Sequence, residues 1–304
     1  MRIAVTGAGG FVGVHLVRAL LEAGDEVHAI SRSKRHPRLD EIPGLHRVEA
    51  DLNSETGRAS IAAVKPDVCV HAAWCTAPGR YLTAIENVDL QCATLSLAKL
   101  LAERGCRRFL ALGTCFEYDT SFGHLSEETP LAPSHLYAAA KAGTFLPLQQ
   151  LGAVTGMEIV WPRLFHLYGP GECTGRLVPS VVCSILRGEE AKTTHGGQVR
   201  DLLYVEDVAS AISTLVHSEF VGPVNVASGQ PVTVESVVRE AARLAGRPDL
   251  IRLGAVPYNP TDPMFICANT QKLRDATAWK PRWTLSDGLA KTVEWWRCNG
   301  PHAS

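Results

Sequence analysis

The sequence predicts an α/β protein in which a parallel, doubly wound sheet is followed by a smaller C-terminal lobe. Two observations predict this fold class. Short apolar runs alternate with longer helix-like segments from the first residues onward, and the strand-like runs are apolar throughout. Strands of that kind are buried on both faces, as in a parallel sheet that helices cover on both sides. Right-handed crossovers then wind the helices onto the two faces.

Each element of the first lobe can be assigned in order. The strand-like runs are RIAVTG, EVHAIS, HRVEA, PDVCVHAA, RRFLALGT and MEIVWPRLF. The helix-like segments between them are FVGVHLVRALLEAG, ENVDLQCATLSLAKLLAERG and SHLYAAAKAGTFLPLQQLGAVTG. All three segments end at a glycine, which a left-handed helix cap favours.

After Phe165 the pattern changes to a loop rich in Gly and Pro, followed by shorter elements. The run QVRDLLYVEDVASAISTLVHS then returns to a strand followed by a helix. We therefore assign residues 1–165 to the first lobe, which also receives the segment 198–220. Residues 166–304 form the second lobe.

Composition and charge exclude several classes of protein. The 304 residues have a formal charge of −1, so no overall field favours nucleic acid or an anionic membrane as a partner. The nine cysteines are scattered without metal-ligand spacing, so we expect reduced thiols, a cytoplasmic location and no metal site. Met1 leads directly into a strand, and no apolar run reaches about 18 residues, so we expect neither a signal peptide nor a membrane span.

The glycine-rich segment between the first strand and the first helix predicts a dinucleotide site. Gly7, Gly10 and Gly13 have the spacing G-x-x-G-x-x-G. Gly7 permits a tight turn, Gly10 lets backbone approach a pyrophosphate, and Gly13 lets the helix pack on the strand. The helix then offers free N–H groups at Phe11 and Val12, and its partial positive charge, to the phosphates. The alternative is a glycine-rich turn without a ligand.

The end of the second strand predicts which dinucleotide binds. An acid there would bind the ribose 2′-hydroxyl and repel a 2′-phosphate. This chain has Ser31 and Arg32 instead, and a hydroxyl with a guanidinium suits a phosphate, so we favour NADPH over NAD. Lys34 and Arg35 follow, and they are accounted for as a solvated basic loop.

The segment HLYAAAK predicts the chemistry. Tyr137 and Lys141 are spaced i and i+4, on one face of a helix. We expect the ammonium to favour the phenolate, so that the tyrosine can exchange a proton with a carbonyl or alcohol oxygen. Thr114 ends the fifth strand, where its hydroxyl can orient that oxygen. The alternatives are an ordinary amphipathic face and a threonine that caps a turn.

Other polar positions leave two interpretations open. Asp51 and Leu52 follow the third strand and could border an adenine, although Asp51 could equally be a turn residue. Asn87 either ties the backbone to the catalytic region or caps a helix. We interpret His71 as a packed residue at the end of a strand rather than as a catalyst.

Taken together, the motifs carry a resemblance that covers nearly the whole chain in order. They are Gly7–Gly10–Gly13, VHAA, Thr114, Tyr137–Lys141, RLFHLYGPG and VRDLLYVEDVA. The chain thus resembles the extended short-chain dehydrogenase/reductases, and more narrowly their nucleotide-sugar epimerase/dehydratase/reductase group. The resemblance implies a Rossmann-type domain that holds NAD(P), with Ala72 and Ala73 at the cofactor, and a smaller lobe over a sugar nucleotide. It makes Thr114, Tyr137 and Lys141 the catalytic triad.

The resemblance also implies substrate contacts and an assembly. Arg200 matches an arginine that often contacts the substrate diphosphate, and Arg176 lies in a segment that often borders the nucleotide. His166 stands where many members have an asparagine that contacts the substrate. Many members form homodimers through two helices per subunit, here the ones around 85–103 and 137–153. Pro147 lies inside the second of these helices, and we expect it to bend or interrupt that helix.

Departures from the family pattern indicate the reaction. The 4,6-dehydratases carry an acidic pair directly after the catalytic threonine, whereas Cys115 and Phe116 stand there in this chain and would border the substrate. A thiol and a phenyl ring cannot replace that acid–base pair, which disfavours dehydration. The run GTCFEYD resembles reductases of 4-keto-6-deoxy sugar nucleotides. We therefore favour an NADPH-dependent 4-ketoreductase. The alternatives are an NAD-dependent epimerase of the same family and a non-catalytic regulator that senses NADP.

Overall fold

The computed structural model describes residues 1–33 and 35–300, so Lys34 of the predicted basic loop and residues 301–304 of the second lobe lie outside the described residues. Fifteen strands and ten α-helices occur in the described part. The strands are β1 (Arg2–Thr6), β2 (Glu26–Ser31), β3 (His46–Glu49), β4 (Val68–His71), β5 (Arg108–Ala111), β6 (Gly113–Thr114), β7 (His124–Leu125), β8 (Glu158–Leu164), β9 (His166–Tyr168), β10 (Ala191–Lys192), β11 (Val199–Tyr204), β12 (Gly222–Val226), β13 (Pro231–Thr233), β14 (Ile251–Arg252) and β15 (Phe265–Ala268). The helices are α1 (Phe11–Glu22), α2 (Pro37–Asp40), α3 (Glu55–Ala63), α4 (Glu86–Glu103), α5 (Leu136–Thr155), α6 (Leu177–Leu186), α7 (Val205–Val216), α8 (Val234–Ala245), α9 (Gln271–Thr277) and α10 (Leu285–Asn299).

The main sheet has the strand order β12-β8-β5-β4-β1-β2-β3, with β6 also paired to β8. All of its pairings are parallel. The predicted doubly wound fold is therefore confirmed. Because β1 lies between β2 and β4, the winding reverses at the carboxyl end of β1, which is where ligands of such sheets bind.

Helices cover both faces of this sheet. Side chains alternate along a strand, so Ile3 and Val5 of β1 join one apolar core while Ala4 joins the other. The helices α1 and α7 pack together over the first core, and α4 and α5 pack together over the second. Across residues 1–33 and 35–300, no helix combines the length and apolar character that crossing a bilayer needs.

The smaller lobe contains a second sheet with the order β13-β11-β15-β7 and β9 beside β11. The helices α6, α8 and α10 pack together around an apolar core that includes Leu289 and Trp296. Asp201 of β11 is fully buried and accepts backbone hydrogen bonds from Ser228, Gly229 and Ala268, which ties the lobe to the loop after β12.

The division of the chain between the lobes differs from our division in two places. Within the segment 198–220, only α7 packs on α1, whereas β11 belongs to the second sheet. The strand β12, which we placed in the second lobe, forms the edge of the main sheet beside β8. A buried strand has the same apolar sequence pattern in either lobe. The pattern alone therefore could not show to which sheet β11 and β12 belong.

The helix α5 runs without a break through Pro147. Of the two outcomes we expect for Pro147, the interruption is therefore wrong, and the bend stays a prediction. The proline ring lies on the exposed side of the helix. Water can there satisfy the carbonyl that loses its helical hydrogen bond, which lowers the cost of an interior proline.

Candidate active site

The glycine turn joins β1 to α1 at the reversal of the winding. Gly7 has a φ of +69°, and a Cβ on it would lie 2.7 Å from the backbone nitrogen of Ala73. A Cβ on Gly13 would overlap the carbonyl oxygen of Gly7, so the helix packs directly on the turn. The backbone N–H of Ala72 donates to the carbonyl oxygen of Thr6. The structure thus brings the glycines together with the two alanines after β4.

The N-terminus of α1 has the chemistry of an anion site. Gly10 is its N-cap and provides no side-chain acceptor, and its first turn contains no acidic residue. The first N–H groups of the helix, at Phe11 and Val12, are therefore free of a side-chain cap and carry the positive end of the helix dipole. The residues present fit the pyrophosphate of a dinucleotide.

The end of β2 holds the residues that we expect to select the cofactor. The Ser31 hydroxyl donates to the carbonyl oxygen of Ser33 at 2.6 Å, and Arg32 is exposed. Glu49 of β3 is the register partner of Ser31 and is also exposed, so a carboxylate stands at this edge of the sheet. The ring of His36 lies over Gly9, and sequence reasoning did not single it out.

Asp51 has the hydrogen bonds of a turn residue. Its carboxylate accepts from the backbone N–H of Asn53 at 3.1 Å, and its carbonyl oxygen accepts from the Ser54 hydroxyl at 3.0 Å. Leu52 is largely buried in the core under α3 and α4. The sequence leaves both interpretations of Asp51 open, and these contacts favour the turn.

The proposed triad converges at the carboxyl edge of the main sheet. Thr114 ends β6, and Tyr137 and Lys141 lie on the first two turns of α5, with all three side chains buried. The Thr114 hydroxyl lies close enough to the Tyr137 phenol to lower the pKa of that phenol, and it accepts from the backbone N–H of Phe116 at 3.4 Å. The Lys141 ammonium donates to the carbonyl oxygen of Leu112 at 2.7 Å. His135 caps α5, because its Nδ1 accepts from the backbone N–H of Ala138.

The titration of this pair differs from our expectation. Burial raises the pKa of Tyr137, with the nearby Tyr81 as the next cause, and the neighbouring Thr114 hydroxyl acts in the opposite direction. Burial also lowers the pKa of Lys141 to about 7, which the charge of Glu117 partly offsets. The phenol is thus a neutral acid here, and the expected shift towards phenolate is wrong for this state of the protein.

A wall of aromatic residues that sequence reasoning missed faces the triad. The Lys141 ammonium lies over the ring of Trp74, 3.7 Å from its centre. Trp74 and Tyr81 contact Tyr137 edge to face, with ring centres 6.4 Å and 5.0 Å away. The ring of His135 stacks on that of Tyr137. The position of Trp74 directly after VHAA, beyond the carboxyl end of β4, could have indicated that this residue lies near the ligand site.

Directly below Thr114 lies a buried ion pair. The Glu117 carboxylate accepts from the Thr114 backbone N–H at 2.7 Å, from the Trp161 indole at 3.0 Å and from the Arg163 guanidinium at 2.7 Å. Glu117 is fully buried, and Arg163 is 2% exposed. The Glu117 carboxylate is buried and already bound by these three groups, so it is not available to a ligand.

The residues after Thr114 divide between the core and the cleft. Cys115 is predicted to border the substrate, but its thiol packs in a core cluster with Leu125 and Phe165, and burial raises its pKa to about 12. This prediction is wrong for the side chain, because the turn after β6 directs it inward. The ring of Phe116 contacts the rings of His135 and His166.

Two of the predicted substrate residues approach the triad from the second lobe. Arg176 donates to the carbonyl oxygen of Thr76 and lies over the ring of Tyr81, 4.8 Å from its centre. His166 has a buried Nδ1 with no hydrogen-bond partner among the described residues. Burial, with the charges of Arg200 and Arg176, lowers the pKa of His166 to about 3, so its imidazole is neutral.

The third, Arg200, is already paired. Its guanidinium donates to the Asp262 carboxylate at 2.6 Å and to the carbonyl oxygen of Val199. An anionic ligand would have to share this arginine with Asp262 or displace the carboxylate.

Glu172 is a further buried group that the sequence did not indicate. It lies in the loop between β9 and α6, and its Oε2 is buried without a hydrogen-bond partner among the described residues. Burial raises the pKa of this carboxyl to about 8, although the charge of Arg176 acts in the opposite direction.

His71 and Asn87 serve the scaffold. The His71 imidazole bonds the hydroxyls of Thr6 and Thr94, both at 2.9 Å, as expected for a packed residue. The Asn87 amide accepts from the Trp74 indole and donates to the carbonyl oxygens of Tyr81 and Ala84. It therefore connects the backbone of this loop to Trp74, which lies beside Lys141. Among residues 1–33 and 35–300, no group of three or more His, Cys, Asp or Glu side chains is placed to hold a metal ion.

Comparisons with known proteins identify relatives with this architecture. The chain is 28% identical to a dTDP-glucose 4,6-dehydratase of Streptomyces niveus, over 98% of this chain and 94% of that protein. It is 25% identical to the trifunctional UDP-glucose 4,6-dehydratase/UDP-4-keto-6-deoxy-D-glucose 3,5-epimerase/UDP-4-keto-L-rhamnose-reductase RHM2 of Arabidopsis thaliana, over 98% of this chain but 47% of that protein.

Solved structures agree with this relationship. The crystal structure of the UDP-glucose 4-epimerase of Thermus thermophilus in complex with NAD matches with a TM-score of 0.84 and 25% identity, over 98% of this chain and 99% of that one. The model of the NAD dependent epimerase/dehydratase family matches residues 3–227, which is most of the chain. The chain therefore belongs to the NAD dependent epimerase/dehydratase family.

Proposed function

We propose that this protein reduces the 4-keto group of a nucleotide-linked 4-keto-6-deoxyhexose and consumes NADPH. The observation that carries the proposal is the composition of the site: a buried Thr114–Tyr137–Lys141 group with no free carboxylate in the turn that follows Thr114. That set of residues can donate a proton to an oxygen. It lacks an acid–base pair for removing water from a sugar.

The state of Tyr137 supports reduction as the direction of the reaction. Because burial raises its pKa, the phenol holds its proton at neutral pH and can act as a general acid. NADPH, when bound, would supply the hydride for the keto carbon. Tyr137 would donate its proton to the carbonyl oxygen, the Thr114 hydroxyl would hold that oxygen, and the Lys141 ammonium would stabilise the phenolate that remains.

The turn after Thr114 argues against dehydration. The Cys115 thiol is buried and holds its proton, and Phe116 has no proton to exchange. Glu117 is the first acid in this run, and its carboxylate is bound by the Arg163 and Trp161 side chains. None of the three side chains can take a proton from a sugar carbon and return it to a leaving hydroxyl.

The cofactor would be held by the residues that fit it. The N–H groups of Phe11 and Val12 would bind the pyrophosphate, and Lys141 would bond the nicotinamide ribose. Ser31 and Arg32 would bind the 2′-phosphate that distinguishes NADPH, since charge-assisted hydrogen bonds to phosphate suit a guanidinium. A nucleotide diphosphate would lie between Arg176 and Arg200.

An NAD-dependent epimerase of the same family is the second candidate. Glu49, the register partner of Ser31, favours it, because a carboxylate at this edge could bind a ribose hydroxyl. The Thermus thermophilus relative, named as an epimerase in complex with NAD, favours it as well.

The deciding experiment is turnover of NADPH and NADH against a panel of 4-keto-6-deoxy sugar nucleotides, with Tyr137→Phe as the control. The proposal expects one NADPH oxidised for each sugar reduced, and a loss of roughly 10²- to 10⁴-fold in kcat for the variant with NADPH binding retained. Isomerisation of a sugar nucleotide without net cofactor oxidation would instead establish the epimerase. Tight NADPH binding without turnover of any substrate would favour the regulator.

A further inference from the structure

The surroundings of Lys141 raise a physical problem. The Lys141 residue is 4% exposed, and its ammonium makes one hydrogen bond to protein among the described residues, to the carbonyl oxygen of Leu112 at 2.7 Å. An ammonium can donate three hydrogen bonds, and burying one that is incompletely solvated favours the neutral amine. A working lysine in this position needs a further source of stabilisation for its charge.

The ring of Trp74 provides it. The Lys141 nitrogen lies 3.7 Å from the centre of that ring, well inside the distance at which an aromatic face attracts a cation. Tryptophan has the strongest such attraction among the aromatic side chains, and the attraction increases when the cation is withdrawn from water. The ring therefore gives the ammonium a second attractive contact besides the carbonyl oxygen of Leu112.

The ring is also fixed in its orientation. The Trp74 indole N–H donates to the Asn87 amide oxygen at 2.7 Å. Asn87 is fully buried, and its amide nitrogen donates to the carbonyl oxygens of Tyr81 and Ala84, both at 2.8 Å. Asn87 thus uses both ends of its amide, and the indole can rotate only by breaking its partly buried hydrogen bond to this fully buried side chain.

We propose that Trp74, anchored by Asn87, is a positioning residue that holds the Lys141 side chain beside Tyr137 and preserves its positive charge. The inference rests on the proposed function only in taking Lys141 as a working residue. It assigns a role to a residue outside the Thr114–Tyr137–Lys141 group.

The other charged and titratable groups around Lys141 do not replace the ring. Glu117 raises the pKa of Lys141, but its carboxylate is bound by Arg163 and Trp161. Tyr137 is neutral, and so is His71, whose pKa is about 3 and whose two ring nitrogens bond threonine hydroxyls. The protonation state of Lys141 therefore depends on two opposing effects. Burial favours the neutral amine, and the aromatic face of Trp74 favours the ammonium.

The test compares Trp74→Phe, which keeps a weaker aromatic face, with Trp74→Leu, which keeps an apolar side chain without one. Lysine side chains labelled with ¹³C and ¹⁵N are titrated by NMR in the full chain, and the Lys141 signal is identified by its loss in Lys141→Met. The matched control is Trp283→Leu, because Lys291 lies over the Trp283 ring at 4.7 Å in the second lobe. The pH profile of kcat is measured on the parent protein and the three tryptophan variants.

We expect the Lys141 titration to move to lower pH by roughly one unit in Trp74→Leu and by less in Trp74→Phe. The alkaline limb of the kcat profile should move with it, while Trp283→Leu leaves both unchanged. An unmoved Lys141 titration in folded Trp74→Leu overturns the proposal. Should that variant not fold, an unmoved titration in Trp74→Phe does so. The NMR result needs no substrate, so a failure of the ketoreductase assignment is recognised separately, by absent turnover in the parent protein.

Discussion

The carboxylate of Glu117 accepts the backbone N–H of Thr114 at 2.7 Å while it is ion-paired with the buried guanidinium of Arg163 at the same distance. The strand end that presents the Thr114 hydroxyl is therefore anchored to a charge in the interior. Arg163 also donates to the Tyr118 hydroxyl, which itself bonds Asn225 of β12. The position of Thr114 is thus determined by a polar network that crosses three strands.

Removing Glu117 is expected to destabilise the protein strongly. In Glu117→Ala the Arg163 guanidinium loses its partner in a buried site, and breaking a buried pair in this way costs about 3–5 kcal/mol. The free energy of unfolding is measured with denaturant. Glu294→Ala removes an exposed partner of Arg297 and serves as the control, with an expected cost within ~1 kcal/mol. Equal losses in the two variants would contradict the assignment of a buried network.

Glu172 is expected to make stability depend on pH. The folded-state pKa of about 8 lies above the ordinary carboxyl value, so the native protein retains a proton that the unfolded chain loses. The stabilisation from this group is complete below about pH 4 and is lost as the pH rises towards 8. Glu172→Gln should abolish that decline, leaving a flatter curve of unfolding free energy against pH. A parent protein and a variant with parallel curves would disprove it.

The local pattern was sufficient for most of the fold. Apolar runs such as DVCVHAA, which contains β4, predict buried strands, and Gly7 and Gly13 stand where the turn and the helix leave no room for a Cβ. The sheets to which β11 and β12 belong were not predictable, because the position of each strand depends on pairing with distant parts of the chain. Pairing between remote segments leaves no periodic signal near the strands themselves.

The site was predictable where its residues share an element and not where they meet across the fold. Tyr137 and Lys141 lie on one helix, so their spacing indicates the pair. Trp74 contacts Lys141, and Glu117 is ion-paired with Arg163. In both pairs the partner lies on a different element, so sequence spacing gives no indication of the contact. The acidity of Tyr137 was mispredicted for a related reason: spacing reports the charge nearby, but burial, which dominates here, depends on the whole fold.

Arg32 is expected to determine the choice of cofactor if NADPH is the substrate. Arg32→Ala removes a charge-assisted contact to the 2′-phosphate, each worth about 1.5–3 kcal/mol, so the preference for NADPH over NADH should fall roughly 10- to 100-fold. Arg35→Ala, in the adjoining exposed segment, is the matched control and should change the preference little. The ratio of kcat/KM values for the two cofactors is the measurement. An unchanged ratio in Arg32→Ala would shift the assignment towards the NAD-dependent epimerase and Glu49.

A homodimer, if it forms, should use the outward surface of α4 and α5. These two helices pack together and leave the apolar side chains of Val88, Leu146 and Val154 exposed by 44%, 54% and 85%. Leu146→Glu would place a charge in that interface without a partner, so it should convert the dimer to a monomer in light scattering after gel filtration. Val221→Glu changes an equally exposed residue in the loop between α7 and β12 and should leave the mass unchanged. A parent protein that is monomeric, or a Leu146→Glu variant that stays dimeric, would exclude this surface as the interface.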